Sequence, residues 1–145
     1  MNISRYAPLL AFFVLASFGL CFSQPDVGAL LRNKSKFPTE FALVSAGSIN
    51  KVYLVPAKGM VHQVAINEYD SIYFIATTDR SFTTSENVKI GTTLGELRRL
   101  LKDVEVVHEA GWAKYVKLPS GWNGAFHYEY ALTEDSKVLF FFKRR

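Results

Sequence analysis

The hydrophobic and polar positions divide the chain into one unbroken apolar run and a later series of short β-like segments. The run covers Ala7–Phe22, follows a start whose one charge is Arg5, and gives way to polar residues at Ser23–Asp26. A basic start, an apolar stretch and small residues after it form the pattern of a secretory signal peptide. Cys21 and Ser23 suit cleavage before Gln24. Two other readings compete. A retained anchor needs about 17 apolar residues or more, and no Lys or Arg follows the run until Arg32, so the stop-transfer flank is missing. Lipidation of Cys21 would place the large Phe18 and Leu20 just before the modified residue. The predicted organisation is a signal peptide over residues 1–23 and a single domain over residues 24–145. Its setting is secreted or periplasmic, with no permanent membrane span after cleavage.

Beyond residue 50 the pattern predicts strands. Val52–Val55 ends at Pro56 and Lys58-Gly59; Val61–Ile66 and Ser71–Thr77 follow closely. Val104–Val107, Trp112–Leu118 and Lys137–Phe142 belong to the second half. These runs are rich in β-branched and aromatic residues, which suit a pleated surface. The breaks between them are short, which predicts antiparallel neighbours. The most regular alternation sets Phe126, Tyr128, Tyr130 and Leu132 on one face and His127, Glu129 and Ala131 on the other. The basic residues 143–145 are expected to guard the apolar last strand against edge pairing. Residues 24–50 show no clear period and are expected to wrap the domain, with a turn at Ala46–Asn50.

One helix is predicted, over about residues 94–102. Thr93 and Glu96 have the spacing of a capping box. Leu94, Leu97 and Leu101 make an apolar stripe that Leu100 widens, and Arg98, Arg99 and Lys102 suit the C-terminal end of the dipole. Gly95 weakens the helix. So short a helix is marginal alone, and its stripe needs the sheet as a partner. The predicted fold class is α+β, an antiparallel β-sheet with one short packed helix. The alternative is a β roll or barrel with the helix at its rim.

Composition narrows the chemistry. The only cysteine is Cys21, so the domain has no internal disulfide, thiolate metal site or cysteine nucleophile. The formal net charge of +4 is scattered along the chain. It forms no basic stripe of the kind that binds nucleic acid. No cofactor motif is present, and no cofactor is predicted.

Candidate site residues are few. His62, His108 and His127 belong to no close ligand pair of the His-Glu-x-x-His kind. His127 and Glu129 share a predicted strand face and make a weak acid–base or metal pair. Asp79 and Glu86 flank the Ser/Thr-rich stretch Arg80–Ser85, which offers oxygens to a cation without calcium-loop spacing. Ser120-Gly-Trp-Asn-Gly124 is a turn, not a nucleophile elbow. Trp122 in that turn, flanked by Gly121, is expected to be accessible. With Trp112 and Tyr115 it could stack on a sugar ring or anchor a partner protein. The competing reading makes Trp122 a lid on the sheet.

The stretch Asn87–Leu97, followed by Gly111–Gly121, resembles a pattern in small exported bacterial proteins of uncharacterised function. Its Ile90-Gly-x-Thr93-x-x-Glu96-Leu97 portion resembles the helix opening of BamE/SmpA-type outer-membrane assembly lipoproteins. The resemblance implies an extracytoplasmic bacterial setting. The resulting expectation is an exported, non-enzymatic binding or protein-interaction domain, with an envelope protein or glycan as partner. The alternatives are a structural or inhibitory envelope module, and a small periplasmic hydrolase or metal-binding enzyme using His127 and Glu129.

Overall fold

A computed structural model describes residues 23–145. The expected export segment, Ser23 excepted, lies outside the described residues. Eight strands form one antiparallel sheet: β1 Thr39–Ser45, β2 Ser48–Ala57, β3 Met60–Ile66, β4 Ile72–Thr77, β5 Val106–Glu109, β6 Ala113–Lys117, β7 Asn123–Phe126 and β8 Phe140–Arg144. Their order is β1-β2-β3-β4-β8-β7-β6-β5, curled into a half-barrel. One helix, α1 (Leu94–Leu100), packs on it. The fold is α+β, as the sequence predicts.

Local chemistry explains the hairpins. Lys58 and Gly59 both have positive φ, 52° and 77°, the conformation that a two-residue hairpin requires to match strand twist. This turn joins β2 to β3, and β2 runs straight through Pro56. Residues 39–45, expected to wrap, instead form β1 and pair with β2 over Thr39↔Tyr53 to Ser45↔Ser48. Upstream, Gly28 and Leu31 donate to the carbonyls of Ile72 and Asp70.

Both faces of the sheet carry a buried core. The helix face carries Val55, Val64, Ile75, Val116, Phe126 and Phe141, packed with Leu94 and Leu97 of α1, Phe82 and Val88 of the loop before it, and Leu31 and Phe37. The opposite face carries Val52, Ala65, Phe74, Ala76, Tyr115, Ala125 and Phe142 with Trp112. Strand alternation sends successive residues to the two cores, which is why β4 and the Phe140–Phe142 start of β8 read as apolar runs.

The helix begins where the sequence places it. Thr93 Oγ1 accepts from the Glu96 N–H (3.1 Å), and Glu96 Oε2 accepts from the Thr93 N–H (2.7 Å). The next free donors, the N–H groups of Leu94 and Gly95, reach the carbonyls of Ser136 and Glu134. Gly95 is there for closeness: a Cβ would lie 3.3 Å from the Glu134 carbonyl oxygen and 3.0 Å from its Oε2. The helix ends at Leu100, one residue before Leu101 turns extended, and so is shorter than predicted. Leu100 is exposed and does not widen the buried stripe.

Two strand expectations are corrected. The Phe126–Leu132 alternation does not form a strand, because β7 stops at Phe126. The chain then bends over the β5–β6 turn. There Gly111 N–H donates to the Tyr128 hydroxyl (2.9 Å), and Lys114 Nζ donates to the Tyr130 carbonyl (2.6 Å). Tyr130 is exposed. The last strand is central, lying between β4 and β7. Lys143 and Arg144 therefore do not guard an edge.

Candidate functional site: an exposed apolar corner

The three aromatic residues singled out by the sequence do not converge. Trp122 lies in the helix-face core, 6% exposed. Phe82 meets its ring edge-on at a centroid distance of 4.7 Å, and Lys143 Nζ lies 5.2 Å from the ring centroid. The expected accessible indole is thus overturned: the turn at Leu118–Gly121 folds the ring inward under the 82–88 loop. Its Ser120 N–H donates to Glu86 Oε1 and its Gly121 N–H to the Leu118 carbonyl. Trp112 and Tyr115 are buried in the opposite core. Trp112 Nε1 donates to the Leu43 carbonyl (3.3 Å), and its ring stands edge-on to Phe142 at 4.5 Å. Arg144 lies over Trp112 at 4.7 Å and reaches toward the Tyr115 hydroxyl at 3.5 Å.

His127 and Glu129 are both exposed, on the bend rather than on a strand face. The contact between them is a main-chain one, Glu129 N–H to His127 Nδ1 at 3.3 Å, while the His127 ring packs on Tyr130 at 4.4 Å. Asp79 and Glu86 also do not meet over the loop they flank. Asp79 Oδ1 accepts from the N–H and hydroxyl of Ser81, which hold its carboxyl below the usual value. Burial pushes Glu86 up, but hydrogen bonds from Thr84 and Ser120 outweigh it and leave its carboxyl lowered. Among the described residues no three His, Cys, Asp or Glu side chains gather where they could hold a metal ion.

Among the described residues, His62 is the one fully buried ionisable side chain. It sits on the helix face of β3, edge-on to Phe82 at 6.4 Å, and neither ring nitrogen makes a hydrogen bond. Burial lowers its pKa; the Val55 main chain across the β2–β3 pair and the Asp79 charge act the other way without reversing it.

The surface feature that needs explanation lies at one end of the helix face. On β1 and β2, Phe41, Leu43, Ile49 and Lys51 share that face, since their neighbours Ala42, Val44 and Val52 pack into the opposite core. Leu43 stands directly opposite Ile49, and Phe41 opposite Lys51. Phe41 is 77% exposed and Ile49 67%. The β3–β4 turn lies at the same end and presents Tyr69, 74% exposed. Tyr69 shares a groove with the exposed Leu30, with Arg32 and with Lys34. Tyr53 joins the two halves: Lys51 Nζ lies 5.5 Å above its ring, and Lys34, ion-paired to Asp70, is within its electrostatic reach. Large apolar groups in such a cluster are uncommon on a surface that meets only water.

Comparison of the chain with protein-family models, with curated proteins and with solved structures finds no match.

Sequence reasoning missed this corner because residues 24–50 had no readable period. One signal was present. Phe41-Ala-Leu-Val44 is apolar at every position, so any strand there must leave two apolar side chains on its second face. At a sheet edge, that second face is exposed unless another element covers it.

Proposed function

We propose that this chain is an exported, non-enzymatic binding domain that engages its partner through the corner formed by Phe41, Leu43, Ile49, Tyr69 and Leu30. The observation that carries the reading is the exposure of five large apolar side chains at one end of the sheet: Phe41, Leu43 and Ile49 on β1 and β2, Tyr69 in the β3–β4 turn and Leu30 bridged to that turn. Elsewhere Phe74, Phe126, Phe141 and Phe142 are fully buried, and Tyr130 on the bend after β7 is exposed. A sequence that covers its core this well leaves Phe41 and Tyr69 outside for contact.

The helix opening that resembles exported lipoproteins and the apolar run at Ala7–Phe22 support an extracytoplasmic setting. The non-enzymatic part of the reading is supported by the exposure of His127 and Glu129, which are joined through the Glu129 main-chain N–H. A photo-reactive phenylalanine analogue at position 41, introduced in an exporting bacterial host, tests the proposal. An adduct from position 41, with none from a control at Leu139 away from the corner, is the expected result. Absence of any protein or lipid adduct at position 41 would overturn it.

A further inference from the structure

We infer that the surface this corner meets is an anionic lipid bilayer, on which the domain lies peripherally. The inference rests on the binding-domain reading and narrows its partner. Arg32 lines the groove that Tyr69 shares with Leu30, Lys51 stands directly opposite Phe41, and Lys34, paired with Asp70, lies between them beside Tyr53. Asp70 in the same groove is paired with Lys34, and Glu40, next to Phe41 on β1, lies on the opposite face, where it accepts from Gln63 Nε2 (2.6 Å). Apolar side chains beside long cationic ones match the boundary of an acidic membrane. There Phe, Ile and Leu enter the acyl region, Tyr sits at the headgroups, and Lys or Arg stems reach back to phosphate.

Three observations favour lipid over the other occupants. A second copy seated on the corner would bring the same cations face to face. Edge pairing along β1 is blocked in its second half, because the Leu43 carbonyl already accepts from Trp112 Nε1. The chain also enters the domain here: Ser23 and Gln24 line one groove with Leu30, Leu31 and Arg32. In the sequence, the apolar run Ala7–Phe22 immediately precedes Ser23. Among the described residues no helix is long and apolar enough to cross a membrane, so the contact is a surface one.

Flotation with lipid vesicles decides the matter, using the protein recovered from the extracytoplasmic fraction. Vesicles of neutral phospholipid are compared with vesicles containing anionic phospholipid, at low and high salt. The expected result is binding to the anionic vesicles that salt weakens. Phe41→Ser with Ile49→Ser, and separately Arg32→Glu with Lys51→Glu, should each weaken it by about tenfold or more. Leu139→Ser, exposed elsewhere, should leave it unchanged. All these sites are exposed, and matching thermal melts establish that each variant is folded. Binding that ignores lipid charge, or that the corner variants do not alter, overturns the inference. So does no binding at all. If position 41 then still crosslinks to a protein, the binding-domain reading stands with a protein partner; if it gives no adduct, both fail.

Discussion

The guanidinium of Arg144, on central strand β8, is gripped by both carboxylate oxygens of Glu109 at the end of edge strand β5, with Nη1 3.0 Å from Oε1. The two strands are separated in the sheet by β7 and β6, so the contact spans the curl. Each side chain is about a quarter exposed. The plane of Arg144 also covers the Trp112 ring, whose indole N–H holds the Leu43 carbonyl of β1. One cation thereby links the middle of the sheet to both of its edges. Two-pronged hydrogen bonding and stacking are both properties of arginine that lysine lacks.

Arg144→Ala should therefore destabilise the domain by about 2–4 kcal/mol, and Arg144→Lys should recover little of the loss. Glu109→Gln adds a pH test. The hydrogen bond from Arg144 holds the Glu109 carboxyl below its usual value. A lowered carboxylate stabilises the fold above its unfolded pKa, near 4.5, and that contribution is lost as pH falls through the folded value. Urea denaturation from pH 7 to pH 3 should show a shallower acid decline in the Gln variant. An unchanged acid slope would mean that Glu109 is not part of it.

Trp122→Ala should cost about 3–5 kcal/mol, the usual range for emptying a large aromatic site in a core. The ring is buried against Phe82 beneath the 82–88 loop. Iodide should quench neither tryptophan efficiently in the native domain, since Trp112 is buried as well. A loss below about 1 kcal/mol would return Trp122 to the surface.

Leu97→Ala should cost about 2–4 kcal/mol, because Leu97 is fully buried in the helix-face core. Leu100→Ala, one turn-step away and exposed, should change stability by less than about 0.5 kcal/mol. Thr93→Ala should cost about 1 kcal/mol through loss of the cap to Glu96. Equilibrium unfolding of the three variants gives the order directly. Equal losses at positions 97 and 100 would contradict the packing of α1.

His62 should give the fold a second, milder acid sensitivity. Its pKa is lowered by burial, so the unfolded chain takes up a proton at higher pH than the folded one. Stability is then full above the unfolded pKa, about 6.5, and declines as pH falls below it toward the lowered folded value. The Asp79 charge reduces this effect without reversing it. His62→Leu removes two unbonded buried nitrogens and should leave stability at pH 7 unchanged or raised. Thermal melts of the Leu variant should be flat between pH 7 and pH 5.5, where the parent declines. A parent that is already flat there would exclude the buried neutral imidazole.

The residues by themselves determined what depends on near neighbours. Thr93 and Glu96 are three apart, and that spacing alone closes a capping box, so the start of α1 was legible. The β-branched and aromatic runs of β3, β4 and β6 likewise follow from local preference for a pleated surface. Tertiary structure decided whatever required knowing which strand lies beside which. The pattern at Phe126–Leu132 alternates perfectly, yet Tyr128 and Tyr130 leave the sheet, because the β5–β6 turn offers hydrogen bonds that no local period encodes. Trp122 sits in a sequence that looks open, and burial follows from a loop some forty residues earlier closing over it. Lys143 and Arg144 read as a charged terminus; the strand order makes them central and gives Arg144 its acidic partner. The corner at Phe41 and Ile49 follows the same rule. An apolar side chain is buried or exposed according to what stands opposite it, and only long-range pairing fixes that.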